Sequence, residues 1–265
     1  MSERVCGALI DGVSVHWPRS VVCPAPQQFE RLICGLRIEA VGRRGKFLVL
    51  TLSSCAEERG PCYLLIHLRM SGSIDVVRPS VPRSKHDQVV LRLESGKELR
   101  FHDPRKFGRV YFVEDVQQVV GKLGPEPLDP AFTSGTLSLL LKSSRRAVKS
   151  ALLDQSTIAG IGNIYADEAL WRARLHPLAI TNRISSAKIS VLHSSIRRTL
   201  REAILRQGTD NGDGVVEFGS YRPRVYGRAG KRCGRCSSVI KRIVVAQRGT
   251  SFCPRCQRLP LSARR

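Results

Sequence analysis

Cys233-Gly234-Arg235-Cys236, then sixteen intervening residues, then Cys253-Pro254-Arg255-Cys256 is the stretch that decides how this chain is built. Two Cys-x-x-Cys knuckles at that spacing place four thiolates around one tetrahedral Zn²⁺. Each knuckle turns both sulfurs inward, and residues 239–252 are long enough for a β-hairpin, so the segment reads as a zinc ribbon. A closed four-sulfur set is structural rather than catalytic, and so small a domain needs its metal to fold. Lys231, Arg232, Arg235, Lys241, Arg242, Arg248, Arg255 and Arg258 crowd around it. A hairpin this basic suits phosphates.

The charge extends outward from there. The chain has 265 residues and a formal charge of +22. Residues 1–141 carry 19 basic and 15 acidic side chains, and residues 142–265 carry 25 and 7. So lopsided a distribution points to a polyanionic partner, either nucleic acid or an anionic membrane surface. At 42% hydrophobic and 25% charged, the composition excludes a disordered chain or a histone-like tail. No run approaches ~18 apolar residues, so no transmembrane helix is expected. The first ten residues have no apolar core with a cleavage site, so no signal peptide is expected either. Cys6, Cys23, Cys34, Cys55 and Cys62 are scattered. The odd total of nine cysteines implies a reducing compartment and one metal site, not a disulfide framework. The scattered five read as small core hydrophobes or idle thiols.

Upstream, residues up to about 115 read as short strands. They include 13–17, 47–52, 63–68, 89–93, 99–101 and 110–113, with Glu94-Ser95-Gly96-Lys97 as a hairpin turn and one short helix near 27–34. Many short strands with frequent turns indicate a β-sandwich or barrel. Pro125, Pro127 and Pro130 mark 123–130 as a linker. Beyond it the period becomes helical: Leu137, Leu140 and Leu141 share a face, as do Ile189, Leu192, Ile196, Leu200, Ala203 and Ile204. Arg197, Arg198, Arg201 and Arg206 form the polar side of the second helix. Residues 208–219 read as a Gly/Asp-rich loop. Between the helices, residues 152–170 read as helix, glycine turn, helix, the second starting near Asn163. Tight turns before helix N-termini expose N–H groups to phosphate, and glycines there let a nucleic-acid backbone approach.

Together these blocks resemble the formamidopyrimidine-DNA glycosylase family, which also contains endonuclease VIII. The resemblance runs through Arg43-Arg44-Gly45-Lys46-Phe47-Leu48, Ile66-His67-Leu68-Arg69-Met70-Ser71-Gly72, Lys85-His86-Asp87 and Asp103-Pro104-Arg105-Lys106-Phe107-Gly108. It continues through Leu123-Gly124-Pro125-Glu126-Pro127-Leu128, residues 152–170, Val225-Tyr226-Gly227-Arg228 and the zinc ribbon. It implies an α+β multidomain fold: an N-terminal β-sandwich over 1–128, a helix–two-turns–helix domain over 129–222, and a zinc ribbon over 223–265. It implies a base-excision repair enzyme, a DNA glycosylase with abasic-site lyase activity on oxidised purines in damaged double-stranded DNA. It also implies one structural zinc, a monomer and a bacterial cytoplasmic location, with association to the nucleoid when bound. Flipping a base leaves a hole in the stack, and the resemblance assigns Met70, Arg105 and Phe107 to fill it. Lys46 maps to the family's lysine near the damaged site, for proton handling and charge stabilisation. His86, Arg105, Arg145 and Asn163 map to phosphate contacts, with Arg146 and Lys149 as neighbours of the loosest of these, Arg145. Arg248 maps to the arginine of the zinc hairpin, beside the abasic sugar.

Two departures stand out. The family begins Met-Pro-Glu-Leu-Pro-Glu-Val-Glu and uses the proline amine as its nucleophile, with a following glutamate for acid–base work. This sequence begins Met1-Ser2-Glu3-Arg4, and Gly7–Val13 already resembles family sequence about twenty residues in. The first helix is thus expected to be missing. The favoured reading is a coding segment upstream of Met1. The alternatives are a catalytically impaired or inactive paralogue that binds damaged DNA without excision, or weak lyase chemistry by another amine such as that of Ser2 or Lys46. Outside the family altogether stands a ribosome-associated basic zinc protein. The second departure is the 208–223 loop, which is short against the family's and carries two acids, so lesion preference is not legible there.

Overall fold

A computed structural model describes residues 2–54, 60–209 and 219–259. The chain divides into two compact units, Met1–Lys122 and Leu123–Arg265. Cys55 and most of the 208–219 loop, residues 210–218, lie outside the described residues.

The first unit is a β-sandwich. Its elements are α1 (Ser2–Val5), β1 (Ile10–Val15), β2 (Val21–Cys23), α2 (Pro26–Ile33), β3 (Leu36–Arg44), β4 (Phe47–Ser54), β5 (Cys62–His67), β6 (Ser73–Val77), β7 (Asp87–Leu93), β8 (Glu98–His102), β9 (Arg109–Val113) and α3 (Gln117–Val120). One sheet runs β1-β7-β8-β6, and the other runs β2-β9-β5-β4-β3 with β2 parallel to β9. Alternate residues of both sheets, such as Leu50, Leu52, Leu64, Ile66, Leu91 and Phe101, meet in one core. Each fully buried side chain of this kind stabilises by about 1.5–3 kcal/mol. Pro26 starts α2 at a position where a missing N–H costs nothing. Phe29 and Ile33, one turn apart, bury completely beneath it. Ahead of β1, Ser2–Val5 forms a single helical turn, and Val5 sits in the core with no exposed surface. The turn at 94–97 is as expected, with Gly96 at φ 71°.

The second unit contains α4 (Ser134–Lys142), α5 (Val148–Leu153), α6 (Asn163–Arg172), α7 (Ser186–Leu205), β10 (Lys241–Val245) and β11 (Arg248–Phe252). Thr133 caps α4 and Ser185 caps α7, each accepting a main-chain N–H three residues on. The apolar face of α7 packs Ile189, Leu192 and Ile196 against α4 and α6 side chains. Ile204 departs from the sequence pattern: it is 63% exposed, because the helix ends one residue later and its last turn leaves the core. The 123–130 stretch is not a free linker. Gly124 N–H donates to the Gln155 carbonyl, Ala159 N–H donates to the Pro125 carbonyl, and Arg197 donates to the carbonyls of Pro127, Leu128 and Asp129. Proline prevents regular structure there but leaves every carbonyl free to accept. Arg197 therefore serves to fasten this strap rather than to form a solvated basic face.

Candidate nucleic-acid interface and metal centre

In the sandwich unit, Asp103 organises the presented side chains. It is 1% exposed. Its Oδ1 accepts from Ser71 Oγ at 2.6 Å and from Arg105 N–H at 3.3 Å, and its Oδ2 accepts from Gly108 N–H at 2.7 Å. One carboxylate thus ties the loop after β5 to the loop after β8. Met70 (65% exposed) and Phe107 (51%) project from these loops, together with exposed Arg105. The residue before each apolar tip, Arg69 and Lys106, is in the left-handed region at φ 58°. Such backbone is costly for a non-glycine residue and persists only where its surroundings hold it. Gly108 is required for a different reason: a Cβ there would lie 2.2 Å from Phe101 Cζ.

His86 belongs to the same assembly, since its carbonyl accepts Asp103 N–H at 2.9 Å. Its ring stands edge-on to His102, and its Nδ1 is buried without a hydrogen-bond partner. Beneath it Asp87 holds His102 Nδ1 (2.9 Å), Ser84 N–H (2.9 Å) and Arg100 (3.6 Å). Lys46 is exposed on the Gly45-Lys46 turn between β3 and β4. It stands near His67, whose ring packs edge-on against Phe47. Burial, then Arg69, then Lys46 hold the His67 imidazole down at a pKa of about 4, so it is neutral at physiological pH.

In the second unit the turn between α5 and α6 is braced by its own side chains. Gln155 Nε2 donates to the Leu153 and Ile161 carbonyls, and Gln155 Oε1 accepts Gly160 N–H. Asp154 accepts from Ser156 and pairs with Arg146 at 2.8 Å. Burial alone would raise the Asp154 pKa, but Ser156 and Arg146 outweigh it and hold it at about 2. Asn163 opens α6. Its Nδ2 donates to the Gly249 carbonyl at 3.1 Å, which joins the helix turn to the hairpin tip carrying exposed Arg248. That tip turns through Ala246 (φ 48°) and Gln247 (φ 57°), the left-handed pair of a tight hairpin.

The neighbours of Arg145 separate cleanly. Arg145 itself is exposed, Arg146 is held by Asp154 and Thr157, and Lys149 is completely buried. Lys149 Nζ lies 2.6 Å from Asp167 Oδ1 and donates to Thr250 Oγ1 and the Gly249 carbonyl. Burial pushes the Asp167 carboxyl up to a pKa of about 6, with Lys149 opposing. Glu168 accepts the main-chain N–H groups of Arg224, Val225 and Tyr226. Sequence reasoning assigned no role to Asp103, Asp167 or Glu168. Asp103 heads the Asp-Pro-Arg-Lys-Phe-Gly block, and Asp167 and Glu168 stand as a carboxylate pair between the apolar residues of 164–171.

The four sulfurs of Cys233, Cys236, Cys253 and Cys256 lie within 4.8 Å of one another. Zn–S bonds of about 2.3 Å require tetrahedral S···S separations of about 3.8 Å, so the set fits one zinc ion. A buried donor supports the fit: Trp171 Nε1, in the same cluster as Cys233, has no hydrogen-bond partner. Of the scattered cysteines, Cys62 is buried, Cys23 half-buried, and Cys6 and Cys34 exposed.

Comparison with known proteins decides the family. The formamidopyrimidine-DNA glycosylase N-terminal domain matches residues 1–110, the H2TH domain of the same enzymes matches 123–213, and the zinc finger found in FPG and IleRS matches 230–259. The formamidopyrimidine-DNA glycosylase of Chloroflexus aurantiacus is 44% identical, over 97% of this chain and 93% of its own length. The chain belongs to the formamidopyrimidine-DNA glycosylase family. The Bacillus subtilis glycosylase is 39% identical over 97% of this chain and 94% of its own. Lactococcus lactis Fpg, solved with DNA containing an abasic site, superposes with a TM-score of 0.87 at 33% identity, over 97% of this chain and 95% of that one. MutM solved with carbocyclic 8-oxo-G DNA gives a TM-score of 0.87 at 34% identity, over the same shares. As a member of this glycosylase family, the chain is a DNA N-glycosylase and abasic-site lyase for oxidised purines, with a zinc finger. Among the described residues, no helix is long and apolar enough to cross a membrane.

Proposed function

We propose that this glycosylase binds damaged duplex DNA and opens it with Met70, Arg105 and Phe107. The supporting observation is that two large apolar side chains are left in solvent on loops fixed by one buried carboxylate. Met70 and Phe107 are apolar tips on two loops tied together by Asp103, and apolar wedges of this kind suit the gap left by an extruded nucleotide. Arg105 supplies donors for the orphaned base. His86, Arg145, Asn163 and Arg248 take the phosphates around the lesion, and Lys46 handles protons and stabilises negative charge at the flipped nucleotide. The zinc ion, when bound, shapes the hairpin and takes no part in bond breaking. The work divides among a sandwich over 1–128, a helical domain over 129–222 and a ribbon over 223–265, in a monomer of the bacterial cytoplasm.

The test has two arms. The gene product, read from in-frame codons upstream of Met1 where these exist, is incubated with borohydride and oxidised-purine duplex. Covalent trapping is expected, and its absence overturns the Schiff-base route. The Met70→Ala/Phe107→Ala variant is then compared on two substrates. Base excision falls at least tenfold while scission at a preformed abasic site persists, since that nucleotide leaves the stack cheaply. Equal excision by variant and parent overturns the wedge assignment.

A further inference from the structure

The zinc site is closed by a residue from outside the ribbon. Trp171, near the end of α6, is 8% exposed and packs with Cys233, Cys253, Ile240 and Val225. Its indole Nε1 is buried without a hydrogen-bond partner, and the ring shares one buried cluster with Cys233 and Cys253. A buried donor without an acceptor is costly, and native folds rarely retain one. A neutral thiol is a weak acceptor, whereas a zinc-bound thiolate is a strong one. The other face of the ring is occupied as well. The Arg235 guanidinium lies 3.7 Å over it, and Arg235 Nη1 donates to the Trp171 carbonyl at 2.7 Å. Four thiolates on one Zn²⁺ leave a net charge of −2, which a nearby cation and an N–H donor both stabilise.

We propose that Trp171 is the outer-shell donor of the zinc centre: its indole N–H hydrogen-bonds the zinc-bound Cys233 sulfur and so joins the metal to α6. The consequence reaches the DNA side, because the same helix carries Asn163 at its other end. Between the two, Asp167 accepts Ser251 N–H and Glu168 accepts the 224–226 amides. Zinc, indole and helix then form one rigid block, and metal loss loosens the element that presents Asn163.

The experiment uses the whole protein loaded with ¹¹³Cd, labelled with ¹⁵N at the indole nitrogens. A scalar coupling between ¹¹³Cd and the Trp171 indole proton is expected, with none at Trp17. An indole proton without coupling, at the same shift in the zinc and cadmium forms, overturns the proposal. In parallel, zinc release to a chromogenic chelator is followed for Trp171→Phe, which keeps an aromatic side chain and loses the N–H. Outer-shell partners are worth about 10–100-fold in metal affinity, so release about tenfold faster or more is expected. Release at the parent rate from a folded variant also overturns the proposal. The cadmium measurement needs no variant, so a failure of Trp171→Phe to fold leaves the test intact.

Discussion

The sandwich unit and the helix–ribbon unit present DNA-facing groups by different means. In the sandwich, Met70, Arg105 and Phe107 sit on short loops held by neutral donors converging on one carboxylate, Asp103. In the second unit, Asn163 and Arg248 are set by a buried ion pair, Lys149–Asp167, by Glu168 on main-chain amides, and by four cysteines suited to zinc. The difference follows from core size. Two facing sheets supply enough apolar area to fix a loop with a few hydrogen bonds. A two-stranded hairpin has almost no core of its own, and must borrow rigidity from a metal and from α6. A common device appears at all three tips: a left-handed non-glycine residue immediately precedes Met70, Phe107 and Arg248.

Removing zinc should break the comparison most completely. Structural zinc contributes about 10–16 kcal/mol of folding free energy in isolated ribbon-like peptides. Chelation or Cys253→Ser is therefore expected to unfold the ribbon while the sandwich persists, seen as proteolysis confined to the C-terminal segment together with lost DNA binding. Lys149→Met comes next. It leaves Asp167 buried and unpaired, a change that costs about 3–5 kcal/mol, and Lys149→Met/Asp167→Leu should recover most of that in thermal unfolding.

Asp103→Asn is the matching test in the sandwich. It keeps the shape but weakens charge-assisted hydrogen bonds of about 1.5–3 kcal/mol each. Excision should fall together with a drop of several degrees in the melting temperature of the sandwich, whereas unchanged excision would separate Asp103 from the presentation of Met70, Arg105 and Phe107. Arg248→Ala should reduce the slope of log binding constant against log salt by about 1, uniformly across sequences.

The smallest effect is a pH dependence. The folded-state pKa of His67, about 4, lies below its unfolded value of 6.5. Its contribution to stability is therefore fully present above pH 6.5 and is lost as pH falls toward 4. His67→Gln should flatten that part of the profile for sandwich unfolding.

Much of this was legible in the residues. The Cys-x-x-Cys spacing needs no tertiary information, because two local knuckles are enough to hold one ion. The strands 47–52 and 63–68 and the helix near 27–34 emerged within a residue or two, since their periods reflect one buried face. The 123–130 strap was not legible: prolines reveal what a segment cannot form, not which donors its carbonyls will meet. Nor was the separation of Arg145, Arg146 and Lys149. Three cations within five residues look alike until packing buries one, pairs the second and leaves the third in water.

By itself, then, the sequence determined the element types, the zinc ligands, the basic excess of the second half and the family blocks, all properties of local spacing and composition. Only the tertiary structure decided which charges serve as scaffold and which as surface. Asp103, Lys149, Asp167, Glu168 and Trp171 each meet at least one partner 32 to 101 residues away in the chain. What a buried polar group does depends on who meets it there, and that is fixed when the core closes.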